Sequence, residues 1–194
     1  MTPFSRIYLA VEGIDGTGKT YVAKHISEKF NFIMAREPSN TEIGAVINSG
    51  QWDPITDFFL FMADRSNTLR GLPKDGNIVS DRSLYSSFAY QGYDLWKKFG
   101  TFERYFSFFN DVSKLLPALP THVFVLFCNV NTALERIKGR GKLSRFERLE
   151  YLEGVQKLYL ELGNVAENVT YVDSNVTLEK LYESVDKEVI KLLR

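Results

Sequence analysis

Apolar and polar positions along this chain switch repeatedly between two periods. Ile7-Tyr8-Leu9-Ala10-Val11 is a continuous apolar run of the length expected for a buried parallel strand. After a polar interval, Val22, Ile26 and Phe30 recur at four-residue spacing and make one stripe of a helix. Phe32-Ile33-Met34 reads as a short second strand, and residues 41–49 as a short helix closing near Gly50. Asp53-Pro54 combines an N-cap with a first-turn proline, so a helix is expected from there through Phe58 and Met62 toward Leu69. Residues 77–82 make a third strand, followed by a helix that Gly92 can end. Residues 101–116 carry Phe102, Tyr105, Phe106, Phe109 and Val112 in a broad apolar band, whose default use is core packing and whose sharper use is a dimer interface. Residues 122–128 are almost continuously apolar, as in a central strand. A helix over 132–138 follows. Ser144-x-x-Glu147 is a capping box, so another helix is expected to start there, with Phe146, Leu149, Leu152, Val155, Tyr159 and Leu162 as its stripe. Residues 169–173 form the last strand and 177–193 the closing helix. Strands alternating with helices predict an α/β fold built on a parallel sheet.

The turn between the first strand and helix carries the strongest chemical signal. Gly13-Ile14-Asp15-Gly16-Thr17-Gly18-Lys19-Thr20 reads G-x-x-x-x-G-K-[ST], the phosphate-binding loop, or P-loop. Its glycines let the backbone approach a polyphosphate, and the following helix adds the positive end of its dipole. Lys19 can bridge β- and γ-phosphates, and the Thr20 hydroxyl can ligate Mg²⁺. Arg36 and Glu37 fall beyond the second strand, where open α/β sheets place ligands, although a solvated charged turn would look the same. Phe61 and Arg65 share a helix face that could receive a planar base, or simply face the core. Asp81 takes a Walker-B-like place near Mg²⁺, and Arg82 could clamp a phosphate. The alternative for this pair is a structural ion pair. Arg82, Ser86 and Tyr90 repeat every four residues, as do Ser83, Ser87 and Gln91, a polar strip suited to lining a cleft. Around Arg140, Lys142 and Arg145, glycines beside cations suggest a mobile basic flap over 139–147.

Composition narrows the setting. With 194 residues and neither repeat nor linker, the chain is read as one domain. Lys and Arg number 24 and Asp and Glu 24, so net charge gives no support for nucleic-acid or membrane binding. The single cysteine, Cys128, precludes an internal disulfide and is expected to be buried and inert. His25 and His122 accompany no metal-ligand pattern, and neither is read as catalytic. The N-terminal residues show no leader pattern, so a cytoplasmic protein is expected.

Taken in order, several motifs resemble the bacterial-type thymidylate (dTMP) kinases among the P-loop nucleoside-monophosphate kinases. They are Glu12 through Thr20, Arg36-Glu37-Pro38, Phe61-Met62-Ala63-Asp64-Arg65, Asp81-Arg82, Ser86-Ser87-Phe88-Ala89-Tyr90-Gln91-Gly92 and Arg140 through Glu147. The resemblance implies a P-loop NTPase fold with a five-stranded parallel sheet, helices on its flanks and a short mobile lid near 139–147. It implies ATP- and Mg²⁺-dependent phosphorylation of dTMP by a homodimer. Gly13, Asp15, Gly16, Thr17, Gly18, Lys19 and Thr20 would hold ATP, with Thr20 and Asp81 near the metal. Asp15 would approach the sugar 3′-hydroxyl, Phe61 would stack on thymine, and Arg65 would bond its O4 edge. Arg82 would hold the dTMP phosphate, with Arg36 and Glu37 at its border. Tyr90 would press on the deoxyribose, and Ser86, Ser87 and Gln91 would add polar contacts. Thr17 leaves the loop without an arginine, so Arg145, then Arg140, would stabilise the transition state. Ser83, where the family usually has an aromatic residue or His, and Tyr21 after Thr20 depart from its pattern.

Overall fold

The computed structural model describes residues 6–138 and 148–194. Five strands form one parallel sheet in the order β2-β3-β1-β4-β5. They are β1 (Tyr8–Gly13), β2 (Ile33–Arg36), β3 (Ile78–Asp81), β4 (His122–Phe127) and β5 (Val169–Asp173). All six residues of β1 are buried, as the unbroken apolar run implied. Its alternation sends Leu9 and Val11 to one face, with Phe124 and Leu126 of β4, and Ala10 to the other, with Val123 and Val125.

Helices cover both faces. On the first, α1 (Lys19–Phe30) and α8 (Leu178–Leu192) bury Val22, Ile26, Leu181, Val185 and Val189. The second carries α3 (Pro54–Gly71), α4 (Leu84–Leu95), α5 (Phe102–Ser113) and α7 (Leu149–Leu160). The short helices α2 (Glu42–Ser49) and α6 (Val130–Lys138) lie elsewhere among the described residues. Asp53 with Pro54 starts α3, as their spacing implied, and Thr41, expected as the first helical residue, instead caps α2.

Two further local expectations change. Gly92 does not end α4, which continues to Leu95. A Cβ at Gly92 would stand 2.4 Å from the Tyr105 hydroxyl, so this glycine serves the close approach of α5. The aromatic band of α5 keeps its default use in the core: Tyr105 and Phe109 are buried, and Phe102 and Phe106 pack against the same core. Helix α7 starts at Leu149 after an extended Arg148, and Tyr151 is buried where Leu149 remains 39% exposed. The capping box at Ser144 and Glu147, Phe146 and the lid residues Arg140 and Arg145 lie outside the described residues.

Order and direction bring the carboxyl ends of β1, β3 and β4 side by side. Chain progression reverses about β1, and the loops after these strands surround the resulting crevice, the general ligand position in such sheets.

Candidate active site

The loop after β1 has the shape its sequence requires. Gly13 (φ 135°) and Gly16 (φ 88°) occupy backbone regions that L side chains avoid. A Cβ would fall 2.2 Å from the Leu126 carbonyl oxygen at Gly13 and 2.3 Å from that of Ala133 at Gly16. Thr17 folds back, its hydroxyl donating to the Ile14 carbonyl (2.8 Å). Helix α1 then starts from Gly18, and no described side chain caps it, which leaves its first N–H groups directed at the crevice.

Lys19, buried at 6% exposure, donates to the Ile14 carbonyl (2.7 Å) and lies 3.8 Å from Asp15. Burial and the neighbouring Arg82 push its ammonium down to about 8, against the pull of Asp15, Asp81 and Glu12. The Thr20 hydroxyl donates to Asp81 Oδ2 (2.6 Å) across the adjacent β1 and β3. A hydroxyl and a carboxylate are hard oxygen donors of the kind Mg²⁺ accepts, and phosphate oxygens and water can complete its shell. The donor set therefore fits the ion.

Asp81 pairs with Thr20, and Arg82 reaches across to Asp15 rather than to its sequence neighbour. Arg82 Nη1 also donates to the Ser86 hydroxyl (3.3 Å), and the guanidinium lies 5.0 Å from the centre of the Tyr90 ring. The four-residue spacing of Arg82, Ser86 and Tyr90 thus becomes one contact line. Tyr90 ties the loop further: its hydroxyl accepts from Asp15 N–H (3.0 Å) and donates to Asp15 Oδ2 (3.0 Å). Burial alone would raise the Asp15 carboxyl, but Arg82, Lys19 and the Tyr90 hydroxyl together bring it down to about 2. Arg82 has φ 78°, a conformation that costs a non-glycine residue about 1–3 kcal/mol. It persists because Arg82 N–H donates to Val11 (3.1 Å) while its carbonyl accepts from the Ser80 hydroxyl.

Asp15, Lys19, Thr20, Arg36, Glu37, Asp81 and Arg82 surround one polar basin of about 170 Å³. Glu37 is also committed inside the protein. It forms a two-pronged ion pair with Arg65, whose Nε donates to Oε1 (2.8 Å) and whose Nη2 donates to Oε2 and to the Ser83 carbonyl (2.8 Å). Arg65 is 1% exposed, and its Nη1 lies beside the Met62 sulfur (3.0 Å). Phe61, one turn before it, is partly exposed. Gln91 lies further along α4 in a separate hollow of about 120 Å³ with Trp52, Asp57 and Tyr151. Ser86 turns toward Glu12, and Ser87 lies 3.4 Å from Arg65.

On the other side of the loop, Gly16, Thr17 and Gly18 border a hollow of about 380 Å³ with Tyr21, Arg136, Ser174 and Val176. Arg136 donates to the carbonyls of Gly16 (3.3 Å) and Ser174 (2.9 Å), which fixes its guanidinium over the loop. Its place here was not legible from a helix carrying one more cation. Glu12, Asp64 and Tyr159 were likewise missed. Asp64 is fully buried and accepts from Ser39 N–H (2.8 Å), holding the segment after Pro38. A buried charge inside a recognised motif was the available signal for both acids. The histidines stay outside this site: His25 stacks on Tyr182 and pairs with Asp186, while His122 bonds Thr170. Cys128 is free and buried.

A parallel α/β sheet, a phosphate-binding loop at its carboxyl edge and a facing arginine together define a phosphotransferase of the P-loop class. The sequence model described as "Thymidylate kinase" matches residues 11–185. A probable thymidylate kinase of Archaeoglobus fulgidus is 34% identical over 200 residues, covering 95% of each chain. One of Methanocaldococcus jannaschii is 34% identical over 196 residues, covering 97% of this chain and 96% of that one. The chain belongs to the thymidylate kinase family. A solved deoxyadenosine kinase of M. mycoides with bound dCTP shares the fold, with a TM-score of 0.69 at 21% identity over 95% of this chain and all of that one. Among the described residues, no helix is long and apolar enough to cross a membrane.

Proposed function

We propose that this chain transfers the γ-phosphoryl group of ATP to dTMP, giving dTDP and ADP. The observation that carries this reading is Arg82, held in a strained conformation at the rim of the phosphate-binding loop and facing the same basin as Lys19 and Arg36. Two anionic reactants must meet there, and cations from separate elements line the meeting point. The donor base would enter the hollow below Arg136, with its phosphates running over Gly16 and Gly18 to Lys19. The acceptor phosphate would meet Arg82 and Arg36, with the deoxyribose against Tyr90 and the base toward Phe61, Arg65 and Gln91.

Phosphoryl transfer is mostly positioning and charge stabilisation. The acceptor oxygen is already ionised, so no strong general base is needed. Asp15 stays charged at neutral pH and can both orient Arg82 and accept a sugar hydroxyl. When bound, Mg²⁺ would offset charge on the transferring group, held by Thr20 and Asp81 with the phosphates. Arg145, then Arg140, would add cations from the lid over 139–147. We place the activity in a cytoplasmic homodimer that needs neither nucleic acid nor membrane.

A coupled ADP-release assay with ATP, Mg²⁺ and saturating dTMP tests this, run beside dUMP, dCMP, dGMP, AMP and thymidine. Turnover should be strongest with dTMP. Preference for another acceptor would overturn the thymine assignment, and silence with all of them would overturn the phosphotransferase reading.

A further inference from the structure

Glu12 is the last residue but one of β1 and is 0% exposed. Its Oε1 accepts from the Ser83 N–H (2.7 Å), the Ser83 hydroxyl (2.7 Å) and the Ser86 N–H (3.2 Å). Its Oε2 accepts from the hydroxyls of Ser86 (2.7 Å) and Tyr159 (2.8 Å). A buried carboxylate is retained only when well supplied with donors, and this one has five from two helices. None of the reaction steps above uses it.

What it does is visible in the segment it grips. Ser83 is the N-cap of α4 and directly follows Arg82. On one side Val11 accepts the Arg82 N–H, and on the other Glu12 takes both donors of Ser83. These bonds from β1 bracket the one turn that holds Arg82 at positive φ. Ser86 continues the line, since its hydroxyl donates to Glu12 while its oxygen accepts from Arg82 Nη1. Tyr159, on α7, closes the other end. Burial, with the negative charge of Glu12 beside it, pushes the Tyr159 hydroxyl well above its ordinary range, so it remains a donor.

We propose that Glu12 is a positioning residue for the acceptor phosphate: through Ser83 and Ser86 it aims Arg82 into the basin, and the Tyr159 hydroxyl fixes the carboxylate in that orientation. The proposal rests on the reading of Arg82 as the residue that holds the phosphate of dTMP. It predicts an effect confined to the phosphate, which a general packing role would not produce.

The test compares dTMP with thymidine, which lacks the phosphate, by calorimetric titration of the unaltered chain, Tyr159→Phe, Arg82→Ala and the double variant. Tyr159→Phe keeps the ring, whose centre lies 6.3 Å from that of Tyr90, and removes only the hydroxyl. It should weaken dTMP about tenfold, the scale of a lost hydrogen bond to a charged group, and leave thymidine within about twofold. Arg82→Ala should narrow the gap between dTMP and thymidine to what Arg36 still contributes, and adding Tyr159→Phe should then change neither. Glu12→Gln, if it folds, should exceed Tyr159→Phe in the same direction. Equal losses for both ligands in Tyr159→Phe, or no loss, would overturn the positioning role alone. If Arg82→Ala leaves dTMP and thymidine as far apart as before, the assignment of Arg82 falls and the positioning role with it.

Discussion

At the residue scale, the chemistry rests on charges that are mutually constrained before any ligand arrives. Lys19 is the sharpest case. Burial and Arg82 hold its ammonium near 8, below the ordinary lysine value of about 10.5. A polyphosphate brought beside it favours the protonated form, so binding takes up a proton wherever free Lys19 is partly neutral. The sign follows: the contribution of Lys19 to ATP affinity should be complete below about pH 7 and fall as pH rises through 8 and above. At pH 8.5 a group with a pKa near 8 is about one-quarter protonated, so calorimetry in buffers of different ionisation enthalpy should report uptake of about 0.5–0.8 proton. The nucleotide phosphates are fully ionised there and do not contribute. Heats independent of the buffer would show that Lys19 is already charged in the empty loop.

Between elements, small side chains decide how closely helices approach. Helix α4 carries Arg82 at its entrance and Gln91 further along, so its placement sets both parts of the acceptor site. Gly92 is what lets α5 press against it, with the Tyr105 hydroxyl donating to the Phe88 carbonyl (3.0 Å). Alanine is the better helix former by about 1 kcal/mol, but its methyl would meet a buried tyrosine whose hydroxyl is held by the Phe88 carbonyl. Overpacking wins, and Gly92→Ala should lower stability by about 1–2 kcal/mol, seen as a fall of a few degrees in Tm. Adding Tyr105→Phe removes the nearest atom and should recover part of the loss. A Gly92→Ala chain as stable as the original would show that α5 can shift without penalty.

For the whole molecule, the question is which apolar surface remains for assembly. Of the two uses open to the aromatic band of α5, Tyr105 and Phe109 serve the core. Ile55 and Phe59, one turn apart on α3, remain exposed at 43% and 54%. The proposed homodimer should scatter light as a particle of about twice the 22.3 kDa chain. A single-chain mass at micromolar concentration would remove the dimer from the proposal and leave the chemistry untouched.

The sequence by itself determined most of what depends on local order. Five strands, the cap at Asp53 and the phosphate-binding loop follow from patterns within a few residues, because backbone propensity, burial period and turn chemistry act over that range. The pairing of Ser86 with Tyr90 was legible for the same reason, since a helix places every fourth residue on one face, whereas Arg82 joins them from ahead of the N-cap. Pairings between distant segments were not. Whether Arg82 would turn to Asp81 or Asp15, and whether Arg65 would meet Glu37, depended on which strands lie side by side, and adjacent strands need not be adjacent in sequence. Glu12 shows the limit most clearly. Its donors come from Ser83, Ser86 and Tyr159, as many as 147 residues away, and only the packing of α4 and α7 against β1 brings them to one carboxylate.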